Sequence, residues 1–72
     1  MSKAIKSVQV GELRFALREE YNSVSGHTQI SIYATSPSGV PEFQRGFEFN
    51  EYPRALQYFD ELVRAYGAGS KL

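Results

Sequence analysis

Cysteine and tryptophan are both missing from this 72-residue chain, and histidine occurs once. Without cysteine there are no disulfide staples and no thiolate metal ligands, a usage that fits a reducing compartment, so a cytoplasmic location is expected. No apolar run approaches the roughly 20 residues that span a bilayer. The first residues also lack the continuous apolar core of a secretory signal, so a soluble chain without a membrane partner is expected. Charge of one sign is missing too. Eight basic and eight acidic side chains give a net charge of zero, without the domain-wide positive field that most nucleic-acid binders carry.

The inventory for catalysis is equally short. His27, the lone histidine, sits at the end of a turn-forming run and reads as a solvated loop residue. The acidic residues stand singly except for Glu19-Glu20 and Asp60-Glu61. Sequence neighbours diverge on a strand and lie about 100° apart on a helix, so neither pair makes a catalytic dyad. No glycine-rich phosphate loop or paired-ligand spacing occurs. The expectation is a non-enzymatic chain with no catalytic residues, no metal and no cofactor. Ser70-Lys71-Leu72 matches the tripeptide read by the peroxisomal import receptor, which has meaning only in a eukaryotic source.

What the chain does have is aromatic residues, five Tyr and five Phe, and a single small domain over residues 1–72 needs them. A chain this short buries only about 60% of the surface its unfolded form exposes. The clearest element is Tyr52 to Tyr66. There Tyr52, Ala55, Leu56, Phe59, Leu62, Val63 and Tyr66 recur with helical period, while Arg54, Gln57, Asp60, Glu61 and Arg64 fall opposite. Asn50 is placed to cap this helix, Pro53 is tolerated in its first turn, and Gly67 suits its end.

Upstream, residues 1–7 are polar and read as a loose segment, and residues 68–72 read as a flexible tail. Leu13, Phe15 and Leu17 alternate with Arg14, Ala16 and Arg18, and Gly11 marks a slip in parity, either a β-bulge or a break between elements. Glu12 to Tyr21 can also be read as a helix carrying Leu13, Ala16, Leu17 and Tyr21 on one stripe. Asn22 to Gly26 is turn chemistry, followed by a strand with Ile30, Ile32 and Ala34 on one face and Gln29, Ser31 and Tyr33 on the other. After the turn Ser36 to Gly39, Phe43, Phe47 and Phe49 share one parity with Arg45 between them. The expected fold is α+β: a three-stranded antiparallel meander packed on one C-terminal helix, order β-β-β-α, with α-β-β-α as the alternative.

On this plan one sheet face is bare, and it carries Arg14, Arg18, Gln29, Ser31 and Tyr33, with Arg45 joining them. Arginine and tyrosine are interface-forming types. The function expected is a small binding module of accessory or inhibitor kind, as small viruses also encode, docking a larger protein or protein complex through this face or a strand edge. Edge pairing would also allow a homodimer. The alternative is weak nucleic-acid binding. The strand order over Leu13 to Gly67, with the run GFEFNEYPRALQYFDEL where a strand passes into a helix, is similar to the arm-binding domain of phage integrases and the plant AP2 domain. That resemblance implies DNA contacts from basic and aromatic sheet residues, here Arg14, Arg18, Tyr33 and Arg45. The chain departs from both families in having no cluster of Lys and Arg, so nucleic acid is the less favoured partner.

Overall fold

The structure, a computed structural model, describes residues 2–69. Four strands, not three, precede the helix: β1 (Ser2–Val10), β2 (Leu13–Asn22), β3 (His27–Thr35) and β4 (Pro41–Glu48), followed by a 3-10 turn at Phe49–Glu51 and helix α1 (Tyr52–Gly69). The strands form one antiparallel sheet in the order β1-β2-β3-β4, with α1 laid across one face. The segment Glu12 to Tyr21 is therefore not helix: from Leu13 onward it is strand. The expected loose N-terminus is also corrected, since residues 2–10 pair along β2 from Ser2 opposite Glu20 to Val10 opposite Leu13. Its polar residues reflect an edge strand with one face bare, which buries only every second side chain.

Gly11 explains the slip in parity. Val10 and Leu13 are paired, so Gly11 and Glu12 form a two-residue hairpin loop. Gly11 takes φ 59° at its first position, where a II′ turn needs positive φ and glycine supplies it without steric cost. The β1 strand has its own irregularity further back, between Ala4 and Lys6.

The buried core is Phe15 and Leu17 from β2, Ile30 and Ile32 from β3, Phe47 from β4, and Ala55 and Phe59 from α1. Each of the large ones contributes about 1.5–3 kcal/mol by leaving water. Ile5, Val8, Val10 and Leu13 close the β1 side of this core, and Tyr52, Leu56, Leu62 and Val63 complete the helix stripe. Tyr66 is half exposed yet sets its ring edge-on to Phe15, 5.1 Å between centroids. Lys6 stays on the helix side, 3.1 Å from Asp60 Oδ1 and 5.7 Å from the Phe59 ring centre.

The helix ends differ from the sequence reading. At the start, Asn50 lies inside the 3-10 turn that leads into α1, and the N-cap is Glu48, whose N–H donates to the Glu51 carboxylate at 3.3 Å. At the other end α1 continues through Gly67 to Gly69, and Gly67 is not among the glycines with positive φ. Residues 68 and 69 of the expected tail are thus helical, while Ser70-Lys71-Leu72 lies outside the described residues. Among the described residues no helix is long and apolar enough to cross a membrane.

Candidate functional site

Because strand residues alternate, the face of the sheet turned away from α1 is assembled from every second position. The registers place Gln9, Arg14, Thr35 and Pro41 in one row across the four strands; Ser7, Ala16, Tyr33 and Phe43 form the next; Ala4, Arg18, Ser31 and Gly46 follow. Glu20, Gln29 and Glu48 occupy the row beyond. Arg14, Arg18, Gln29, Ser31 and Tyr33 therefore do meet on one face, and nothing in the described chain packs over it.

Arg45 does not join them. It pairs with Ile32, a core residue on the helix side, and its guanidinium lies 5.0 Å from the ring centres of both Phe47 and Tyr58. Alternation with Phe47, two residues on, is enough to put it there, and a β-bulge follows immediately: Ile32 faces Arg45 but Tyr33 faces Phe43, leaving Gln44 as the extra residue. Counting parity through that bulge exchanges the faces on either side of it. Phe43, which shares its parity with Phe47 in the sequence, is thereby turned to the outer face, where it is 57% exposed. Phe49 has left the strand altogether and stands half exposed in the 3-10 turn.

Phe43 is the residue of this face that sequence periodicity assigns wrongly. Its ring meets Tyr33 edge-on, centroids 5.8 Å apart, and reaches over Gly46. A Cβ at Gly46 would come within 3.2 Å of Phe43 Cζ, closer than ordinary contact, so glycine there is what lets the ring settle against the strand. A run of aromatic, two residues and glycine, Phe43 to Gly46, is the only trace of this in the sequence.

Hydrogen bonds hold the polar part of the face in a fixed pattern. Gln9 Nε2 donates to the Gly11 carbonyl at 3.0 Å and its Oε1 accepts from Arg14 Nε at 3.3 Å. Asn22 donates to Gln29 Oε1 at 3.1 Å, and Gln29 Nε2 donates in turn to Ser31 Oγ at 2.9 Å. Ser31 is fully buried beneath its neighbours, so it braces Gln29 rather than offering a contact of its own. The Tyr33 phenol donates to Glu20 Oε1 at 2.8 Å. That bond, then burial, then the negative charge of Glu20 raise the Tyr33 pKa above the ordinary tyrosine value, with Arg18 and Ser31 offsetting part of the rise. Beside this pair Ala16, Arg18, Glu20, Tyr33, Thr35 and Pro41 line a shallow depression.

The charge on this face is balanced, Arg14 and Arg18 against Glu20 and Glu48, but it is not mixed. The arginine rows flank the Tyr33–Phe43 row, and the carboxylates lie together beyond Arg18. Such an arrangement offers an aromatic centre with cationic neighbours on either side, suited to recognition by stacking and by arginine hydrogen bonds. His27 lies elsewhere, exposed at the start of β3, lining a hollow with Glu19, Glu48 and Asn50. Among the described residues no group of three or more His, Asp or Glu side chains could hold a metal ion. Comparison with family profiles, curated proteins and solved structures finds no match to this chain.

Proposed function

We propose that the chain is a small non-catalytic binding module that docks a larger protein through the outer face of its sheet. The observation that carries this reading is the Tyr33–Phe43 pair, Phe43 exposed against a partly buried Tyr33, set between the Arg14 and Arg18 rows on a face that no element of the described chain covers. Aromatic and arginine side chains held by their neighbours are what interface centres are made of. The free strand edges support the reading less. Each is interrupted by a bulge, β1 between Ala4 and Lys6 and β4 at Gln44, and they carry Lys3 and Lys6 on one side and Pro41 on the other. Those are devices that discourage strand addition, which disfavours both edge docking and an edge-paired homodimer.

A second reading is favoured by the same Phe43 ring. An exposed aromatic resting on the sheet, with arginines in the adjacent rows, could stack a base of single-stranded nucleic acid. It ranks second because Glu20 and Glu48 cancel the arginine charge on this face, leaving little counterion release to drive binding. The resemblance to integrase arm-binding and AP2 domains also weakens as a guide, since β1 adds a fourth strand and Arg45 lies on the other side of the sheet.

The test is affinity capture from native host lysate, with and without nuclease, by the wild type and by a folded R14A/R18A/Y33A variant. The expected result is a nuclease-resistant protein partner that the triple variant fails to retain. Retention unchanged by the triple variant would sink the surface, and recovery that disappears with nuclease would put the second reading first.

A further inference from the structure

We propose that Arg45 forms a carboxylate-recognition site at the junction of β4 and α1, receiving an acidic side chain from a binding partner. The site goes beyond the outer-face reading, because it lies on the opposite side of the sheet and uses none of that face's residues. Its guanidinium carbon stands 5.0 Å from the centre of the Phe47 ring and 5.0 Å from that of Tyr58. The two rings are themselves in contact, 5.7 Å apart and inclined at 60°. Phe47 belongs to the buried core, so one wall of this clamp is fixed by the fold. Arginine stacked in this way has already given up much of its side-chain freedom, and its planar fork stays available for a bidentate bond.

Among the described residues no carboxylate or carbonyl accepts a hydrogen bond from Arg45, although acidic side chains stand nearby. They are engaged elsewhere. Glu51 accepts from Arg54 Nη1 at 3.1 Å and from the Glu48 N–H, and Glu61 accepts from Gln57 Nε2 at 3.3 Å. Arg54, Gln57 and Glu61 line the same depression as Arg45, Phe47 and Tyr58. The charge balance selects the ligand class. Arg54 is already shared with Glu51, so Arg45 is the one guanidinium left to a ligand and its single charge and planar fork match a monoanion, while the second charge of a dianionic phosphate would meet Glu51 and Glu61 uncompensated. A monoanionic carboxylate fits.

The test is an NMR titration of the intact protein with sodium acetate, against sodium chloride at matched ionic strength, reading the Arg45 Nε–H and Tyr58 ring resonances. Sodium phosphate forms a third arm. The expected result is a saturable acetate-specific shift of both groups, weakened about tenfold in a folded R45K variant that keeps the charge but loses the fork. Equal shifts with chloride would reduce the effect to screening and overturn the site. Tighter binding of phosphate than of acetate would overturn the carboxylate assignment, and an undiminished acetate response in R45K would overturn the role of the stacked guanidinium.

Discussion

Two phenylalanines that look alike in the sequence should behave differently when truncated, and the difference follows from where the β4 bulge puts Phe43. Phe59 lies fully buried under α1, in contact with the sheet core. Replacing it with alanine removes its transfer energy and leaves a cavity, which costs about 3–5 kcal/mol. A domain of 72 residues has about 4–11 kcal/mol of stability in total at roughly 0.05–0.15 kcal/mol per residue. Phe59→Ala should therefore lose a large part of that stability, all of it at the low end of the range. Phe43 is 57% exposed on the outer face, and its main loss on truncation is the edge-on contact with Tyr33, worth about 0.5–1.5 kcal/mol. Urea unfolding followed by far-ultraviolet circular dichroism measures both variants against wild type. The expected gap between them is about 2 kcal/mol or more. Equal losses would mean that Phe43 is a core residue after all, and the bulge at Gln44 with the exposed Phe43 ring would be refuted together.

Four further outcomes follow from the same geometry. Tyr33, with its pKa raised by the Glu20 hydrogen bond first and burial second, contributes stability that is fully present below the ordinary tyrosine range and is lost as pH rises through the higher folded value. A tyrosinate absorbance titration should show one late-ionising tyrosine that disappears in Y33F and moves back toward the ordinary value in E20Q. The Lys6–Asp60 pair is about half exposed at both ends, so D60A should cost no more than about 1 kcal/mol in thermal unfolding, less at high salt. A Cβ at Gly46 would press Phe43 at 3.2 Å, so G46A should shift the Phe43 and Tyr33 ring resonances while leaving those of Phe15 and Phe59 in place. Deleting Gln44, the residue left without a partner by the bulge, should leave Phe43 on the outer face and the protein folded, as read by the same ring resonances.

The helix was legible because its stripe is long and period-consistent: Ala55 and Phe59, the middle of that stripe, are its fully buried members. Strand β3 was legible for the same reason in period two, and Ile30 and Ile32 are core. Leu13, Phe15 and Leu17 pointed inward as their alternation requires. Strand β1 was hidden because an edge strand over one end of the core needs few apolar residues, and Ser2, Lys3, Lys6 and Ser7 read as solvent-exposed chain. Its bulge near Ile5 further breaks the alternation. On β4 a single extra residue reversed the assignment of Phe43, because parity has no memory across a bulge, whereas Arg45 keeps the core-side parity it shares with Phe47 and was placed on the outer face against that alternation. The outer face was thus found in outline from Arg14, Arg18, Gln29 and Tyr33, while its most exposed aromatic was counted as core. The Gly67 stop failed for a different reason. A glycine permits a left-handed cap without requiring one, and α1 runs past it.

The absence of cysteine makes the central claim directly testable by site-specific blocking. Single cysteines at Ala16, in the outer-face depression, and at Arg64, on the exposed side of α1, can each be labelled with a bulky maleimide and the protein then used to capture its partner. Labelling A16C should abolish capture while labelling R64C leaves it intact, with both proteins retaining wild-type circular dichroism. Capture that survives a label at Ala16 but is lost with one at Arg64 would place the contact on the helix side and contradict the outer-face account.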